Sequence, residues 1–128
     1  MKKQVVVISL GGSQIIPDKI NTSYLKRFKK IILKNSKKYK FVIVCGGGSL
    51  ARKYIKAIEM EGGNLDFQSF AGINATRANA RFVSYFFDYD PTYGIPKKIN
   101  TLKKYLKKRD IVFCGALEYK PDQTSDST

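Results

Sequence analysis

The sequence predicts an α/β fold, a three-layer α/β/α sandwich with a mainly parallel sheet. Two observations carry that expectation. Gln4–Leu10 (QVVVISL) and Phe41–Cys45 (FVIVC) are continuous apolar, β-branched runs without alternation, as in parallel strands covered on both faces. Each run ends in glycines and is followed by a helical stretch, and strand, helix, strand, helix is the order of a parallel βαβ sheet.

The first run, read as a central strand, closes on Gly11-Gly12-Ser13. Residues 14–18, with Pro17, form a loop, and Thr22 or Ser23 opens a lysine-rich helix that fades near Asn35-Ser36. After the second strand, Gly46-Gly47-Gly48 lets the backbone turn sharply and approach a ligand. Ser49 is placed to cap the next helix, which extends to about residue 61 and carries Arg52 on its first turn. Gly62-Gly63-Asn64 breaks the chain, and a mainly helical stretch follows over 65–87. Within it Ala75, Ala78 and Ala80 permit close packing, and Arg77 and Arg81 share a face. Residues 88–96 read as a loop with one short edge strand, 97–109 as a second lysine-rich helix, and 110–115 (DIVFCG) as a third strand. A polar loop, 116–126, completes the pattern.

A chain of 128 residues, 43% hydrophobic and 27% charged, is one globular domain's worth of sequence. No apolar run approaches the ~20 residues of a membrane span. The short β-branched run after Lys2-Lys3 lacks a small-residue cleavage site, so a first strand and a cytoplasmic location are expected rather than a signal peptide. With no histidine and only Cys45 and Cys114, no metal site is expected, and both thiols read as buried and reduced. The net charge of +14 is concentrated in two acid-free segments, 21–40 and 97–109. Leu25, Phe28 and Ile32 in one, and Ile99, Leu102 and Leu106 in the other, form apolar stripes at helical spacing. The lysines therefore read as solvated helix faces rather than a nucleic-acid surface.

In open α/β sheets, ligands bind beyond the C-terminal ends of the strands, where both glycine corners fall. A helix start with free N–H groups favours anions, phosphate above all. Three successive glycines followed by Arg52 point the same way, while neither corner has the spacing of a dinucleotide fold or a P-loop.

Four motifs in this order resemble the amino-acid kinase superfamily, and within it the UMP kinases of archaeal type. They are Ser9-Leu-Gly-Gly-Ser13, Gly46-Gly-Gly-Ser-Leu-Ala-Arg-Lys-Tyr54, Gly72-Ile-x-x-Thr-Arg-x-Asn-Ala80 and Pro121-Asp-Gln-Thr-Ser-Asp126. The resemblance runs along essentially all of the chain, in register with the N-terminal part of such an enzyme. It implies the carbamate kinase-like fold and phosphoryl transfer from ATP·Mg²⁺ to UMP, giving UDP in pyrimidine nucleotide biosynthesis. It assigns Gly11, Gly12 and Ser13 to the ATP phosphates, and Gly48 and Arg52 to the transferring phosphate, with Arg52, Gly12 and Ser13 as the catalytic set. Gly47, Arg77, Asn79, Gln123, Thr124 and Ser125 would bind UMP or shape its pocket. Dimers built into hexamers are implied, with residues 76–86 as a dimer face.

Several positions depart from the family pattern. Ser9 stands where many members have lysine, Ser69 where an aspartate is expected, Gly115-Ala116 where two glycines are usual, and Asp122 where a glycine is usual. Family enzymes are also much longer. Residues 1–128 correspond to their N-terminal, UMP- and phosphate-binding part, with the C-terminal ATP-binding part absent, as in a fragment, a truncated gene product, or one piece of a split enzyme completed by a separate C-terminal chain. The rival expectations are another phosphotransferase of the superfamily, acting on a carboxylate, carbamate or isopentenyl phosphate, a non-catalytic basic nucleotide- or RNA-binding module, and a degenerate, inactive chain.

Overall fold

Three parallel strands, β1 (Gln4–Leu10), β2 (Tyr39–Cys45) and β3 (Ile111–Cys114), lie in the order β1-β2-β3 in a computed structural model that describes residues 2–118. The register sets Val6 beside Phe41, Ile8 beside Ile43 and Leu10 beside Cys45, and β3 continues with Ile111 beside Phe41 and Phe113 beside Ile43. Because side chains alternate across a strand, these residues share one face. Helices α2 (Thr22–Asn35) and α4 (Leu65–Phe86) cover it, placing Leu25, Ile32, Ala80 and Val83 in one core with Leu10, Phe41, Ile43 and Phe113. On the other face α5 (Ile99–Lys108) lays Leu102, Tyr105 and Leu106 over Val42, Val112 and Cys114. Helix α3 (Gly48–Met60) runs from the end of β2 and packs against α4. The two lysine-rich segments are thus amphipathic covers for opposite faces of one sheet.

Several details of the fold refine or correct these expectations. Among the described residues β1 pairs with β2 alone and so lies at an edge rather than at the centre, and Val5 and Val7 are exposed because α5 covers β2 and β3 and stops short of β1. The loop after β1 contains a short helical turn, α1 (Gly12–Ile15), which buries Ile15 in the core. Helix α2 begins at Thr22, as expected, with Asn21 as its N-cap, whose side-chain oxygen accepts from the Tyr24 amide at 3.2 Å. The loop over 88–96 carries no strand. Its aromatics are held instead by Arg109, whose guanidinium lies 4.0 Å from the Tyr93 ring centre and 5.0 Å from that of Tyr89.

Cys45 and Cys114 are free and buried. Burial pushes the Cys45 thiol up to about 12, with Cys114 adding to the rise, and burial lifts Cys114 to about 11. As pH rises above 9.0, the unfolded thiols ionise first while the folded ones keep their protons. Their contribution to stability is complete below that pH and is lost towards 11 and 12. Neither thiol is expected to react with iodoacetamide at pH 8 in the native chain, and both react in denaturant; rapid native alkylation would contradict this burial.

Candidate functional site

The site is built where β1 and β2 end side by side. Gly46 donates its amide to the Leu10 carbonyl at 3.0 Å, so the pairing of the two strands runs into the corners. Beyond that bond the corners press on one another. A methyl group on Gly12 would lie 1.9 Å from the Gly48 nitrogen, and one on Gly46 would lie 2.7 Å from the Gly12 nitrogen. Gly48 adopts φ +58°, a left-handed conformation that favours glycine, and a methyl there would meet the Gly12 carbonyl oxygen at 2.4 Å. Gly12 and the triple glycine are therefore one object, two turns in backbone-to-backbone contact.

Helix α3 starts from this contact. Gly47 is its N-cap, and Ser49 makes no cap bond, which corrects the expected role of that side chain. Ser49 is the second residue of the helix and is buried; its hydroxyl has no partner, and its amide donates to the Ile16 carbonyl at 3.2 Å. That bond ties α3 to the loop after α1. The Gly47, Gly48 and Leu50 amides have no protein acceptor among the described residues, so the first turn of a thirteen-residue helix offers donors at the mouth of the corner.

Helix α4 fixes the corner from behind. The Asn79 side-chain amide donates to the Gly46 carbonyl at 2.8 Å and to the Gly47 carbonyl at 3.0 Å, and Asn79 itself is buried. One turn earlier the Thr76 hydroxyl donates to the Ile73 carbonyl at 2.6 Å and accepts the Ala116 amide at 2.8 Å. Arg77 Nε donates to the Ala116 carbonyl at 3.1 Å. The close approach at β3 depends on glycine, since a methyl on Gly115 would lie 2.5 Å from the Thr76 hydroxyl oxygen. One face of α4 thus ties down the ends of both β2 and β3. The small residues Ala75 and Ala80, fully buried, let the helix come this near.

The structure gathers some of the sequence-derived candidates and disperses others. Gly11, Gly12, Gly47 and Gly48 lie at the joined corners, and Ser13 stands exposed on α1. Arg52 is exposed on α3, its guanidinium 3.5 Å from the Pro17 carbonyl, a distance at the outer limit of hydrogen bonding. Asn79 holds the corner from within, whereas Arg77 holds the end of β3. Gln123, Thr124 and Ser125, together with Asp122, lie outside the described residues. Thr76, which the resemblance places only in the implied dimer face, belongs to this site; its spacing of three from Asn79 puts both polar groups on one helix face. Among the described residues no cluster of three or more histidine, cysteine or acidic side chains could hold a metal ion.

Comparison with known proteins agrees with this architecture. The family model described as "Amino acid kinase family" matches residues 4–125. A uridylate kinase from Thermoplasma volcanium is 37% identical over 123 residues, covering 95% of this chain and 52% of the relative. One from Thermococcus onnurineus is 39% identical over 75 residues, covering 59% of this chain and 33% of the relative. The crystal structure of uridylate kinase from Archaeoglobus fulgidus superposes with a TM-score of 0.76 at 30% identity, covering 98% of this chain and 55% of that one. The chain spans about half the length, or less, of these relatives.

Proposed function

Because the chain belongs to the amino acid kinase family, we propose that it forms the phosphate- and UMP-binding part of a UMP kinase. The reaction is transfer of the ATP γ-phosphoryl group to UMP, giving UDP and ADP. The observation that carries the reading is the pair of glycine corners packed backbone to backbone at the start of α3. Phosphoryl transfer asks a protein mainly for positioning and for stabilisation of negative charge. In this arrangement the backbone supplies both without side chains that would crowd the phosphates.

The roles are those that the family resemblance implies, and the meeting of the glycine corners supports them. Gly47 and Gly48, with the free amides of the α3 start, meet the phosphate of UMP and the group in transfer. Gly11, Gly12 and Ser13 face the phosphates of ATP. Arg52 leaves its long contact with Pro17 and brings a guanidinium to the transferring phosphate. Asn79 and Arg77 shape the pocket from the α4 side, and Gln123, Thr124 and Ser125 close over UMP. Mg²⁺ would accompany ATP as part of the co-substrate in this reading. A homo-oligomer, dimer or hexamer, belongs to the same reading; of the implied face 76–86, Asn79, Ala80, Val83 and Ser84 are buried within the chain itself, and the exposed Tyr54, Met60, Leu65, Phe67 and Phe70 on α3 and α4 offer apolar surface beside it. A cytoplasmic setting and a place in pyrimidine biosynthesis complete it. No helix among the described residues is long and apolar enough to cross a membrane.

The 128 residues alone are expected to turn over ATP and UMP weakly or not at all, because the ATP-binding part lies in the other half of the proposed enzyme. The test is therefore binding. Calorimetric titration with UMP, using CMP and AMP as controls, is expected to show selective binding of UMP. Arg52→Ala should weaken it at least tenfold, in the range of a lost charge-assisted contact of about 1.5–3 kcal/mol. A folded chain that binds none of the three nucleotides would overturn the proposal.

A further inference from the structure

We propose that Arg81, with the hydroxyls of Tyr89 and Tyr105, forms a binding site for a compact tetrahedral oxyanion, of the class of inorganic phosphate, on a flank of α4 that Asn79 does not share. The inference stands apart from the functional reading above. It starts from two arginines that the fold partners differently.

Arg109 is well supplied. Its guanidinium pairs with the Asp90 carboxylate at 3.4 Å and lies over the rings of Tyr93 and Tyr89. Asp90 also accepts from the Thr92 amide at 2.9 Å and from the Thr92 hydroxyl at 2.8 Å, so this carboxylate is committed to Arg109 and to its own turn. Arg81 has no such partner. It is half-buried on α4, with its guanidinium 5.8 Å from the Tyr85 ring centre, and among the described residues no carboxylate pairs with it. A guanidinium carries five donors and no acceptor.

Phenol groups gather beside it. Tyr89 is 7% exposed, and its hydroxyl is buried without a hydrogen-bond partner. Such an orphaned group weakens the fold until something pairs with it. Burial pushes that phenol up to about 12; Arg109 and Arg81 oppose the rise and Tyr105 and Tyr93 add to it, so all four lie within electrostatic reach. The Tyr93 ring packs on Tyr89 at 6.1 Å and edge-on to Tyr105 at 5.6 Å, which carries the cluster from the loop onto α5. Gly94 marks the open place. A methyl there would lie 3.9 Å from Arg81 Nη2 and 3.9 Å from the Tyr105 hydroxyl oxygen, with nothing nearer outside its chain neighbours. Guanidinium and phenol flank one space.

Donors thus arrive from α4, α5 and the loop between them, and no described carboxylate answers Arg81. On a chain of net charge +14 that calls for an anion. A planar carboxylate matches a guanidinium alone; donors from three elements suit an oxyanion whose oxygens point in several directions. Once bound, it ties α4 to α5 through residues 88–96 and braces the helix that holds the ends of β2 and β3.

The test is an NMR titration of the chain with inorganic phosphate, and with acetate as control, at constant ionic strength. It is read at Arg81 Nε–H and at the ring protons of Tyr89 and Tyr105. Saturable shifts of these signals are expected, with acetate binding at least tenfold more weakly. Gly94→Ala fills the open place at ordinary contact distances, so the urea midpoint should hold while phosphate affinity at Arg81 falls at least tenfold. Arg81→Gln should abolish the shifts at Tyr89 and Tyr105. Absence of saturable shifts, shifts confined to the Gly47 and Gly48 amides, an equal response to acetate, or an affinity indifferent to Gly94→Ala would each overturn the inference. Titration with UMP separates the two proposals. Selective UMP binding with no response of Arg81 to phosphate leaves the functional reading standing and ends this one; a phosphate response at Arg81 in a chain that binds no UMP does the reverse.

Discussion

Replacing Gly12 with alanine is expected to dismantle the phosphate corner. The added methyl would lie 1.9 Å from the nitrogen, and 2.6 Å from the α-carbon, of Gly48. These are backbone atoms of a turn held by Asn79 and by strand pairing, so no side chain can step aside. Relief requires β1 and α3 to separate. A cost of about 3 kcal/mol is expected, the upper range for overpacking, together with loss of measurable UMP binding. Gly11→Ala is the internal control for stability. Its methyl would find only the Gln14 side-chain oxygen, at 3.6 Å, and its φ of −60° suits any residue. A change within about 0.5 kcal/mol is expected there. Urea denaturation of the two variants checks the contrast, and equal midpoints would refute the contact between the corners.

Asn79→Ala is expected to have the next largest effect, through the carbonyls it leaves behind. Gly46 and Gly47 would each lose a donor in a half-buried setting, at about 1–3 kcal/mol per orphaned group. Since those carbonyls orient the amides at the start of α3, UMP affinity should fall more than tenfold even where the variant remains folded. Asn79→Asp should be worse near neutral pH, because a carboxylate only accepts and would face two carbonyl oxygens. Lowering the pH would protonate that carboxyl and restore one donated bond, so Asn79→Asp should recover part of its UMP affinity in mild acid while Asn79→Ala does not. Identical pH profiles for the two variants would show that Asn79 does not act by donating to the corner.

The glycine corners and the strands leading into them were legible because each is a local signal: a β-branched run, a backbone turn that needs glycine, a helix after it. Coverage was not legible for β1. QVVVISL has the composition of a strand buried on both sides, and only the reach of α5 decides that Val42 is covered while Val7 is not. Capping failed in a similar way at Ser49. A serine at a helix start is a sound local choice, but α3 begins at Gly48 with Gly47 as its N-cap, which leaves Ser49 within the first turn and its hydroxyl buried. Thr76 and Asn79 were visible as polar residues on one helix face. That one grips the end of β3 and the other the end of β2 follows from how α4 crosses the sheet, which no local pattern encodes.

The wide separation in sequence of the sheet's two pairings governs the order in which the chain can assemble. Strands β1 and β2 are joined through α2, so their contact closes a moderate loop. Phe41 cannot meet Ile111 until α3, α4 and α5 have all been made. Closing so long a loop costs chain entropy before any contact rewards it, which slows folding. During synthesis the β1–α2–β2 unit can form first and wait with its apolar strand face open, and β3 arrives last. The grip of α4 on Ala116 then acts as a latch on the slowest step: loss of the Thr76 hydroxyl should speed unfolding more than it slows folding, because that bond forms only once β3 is in place.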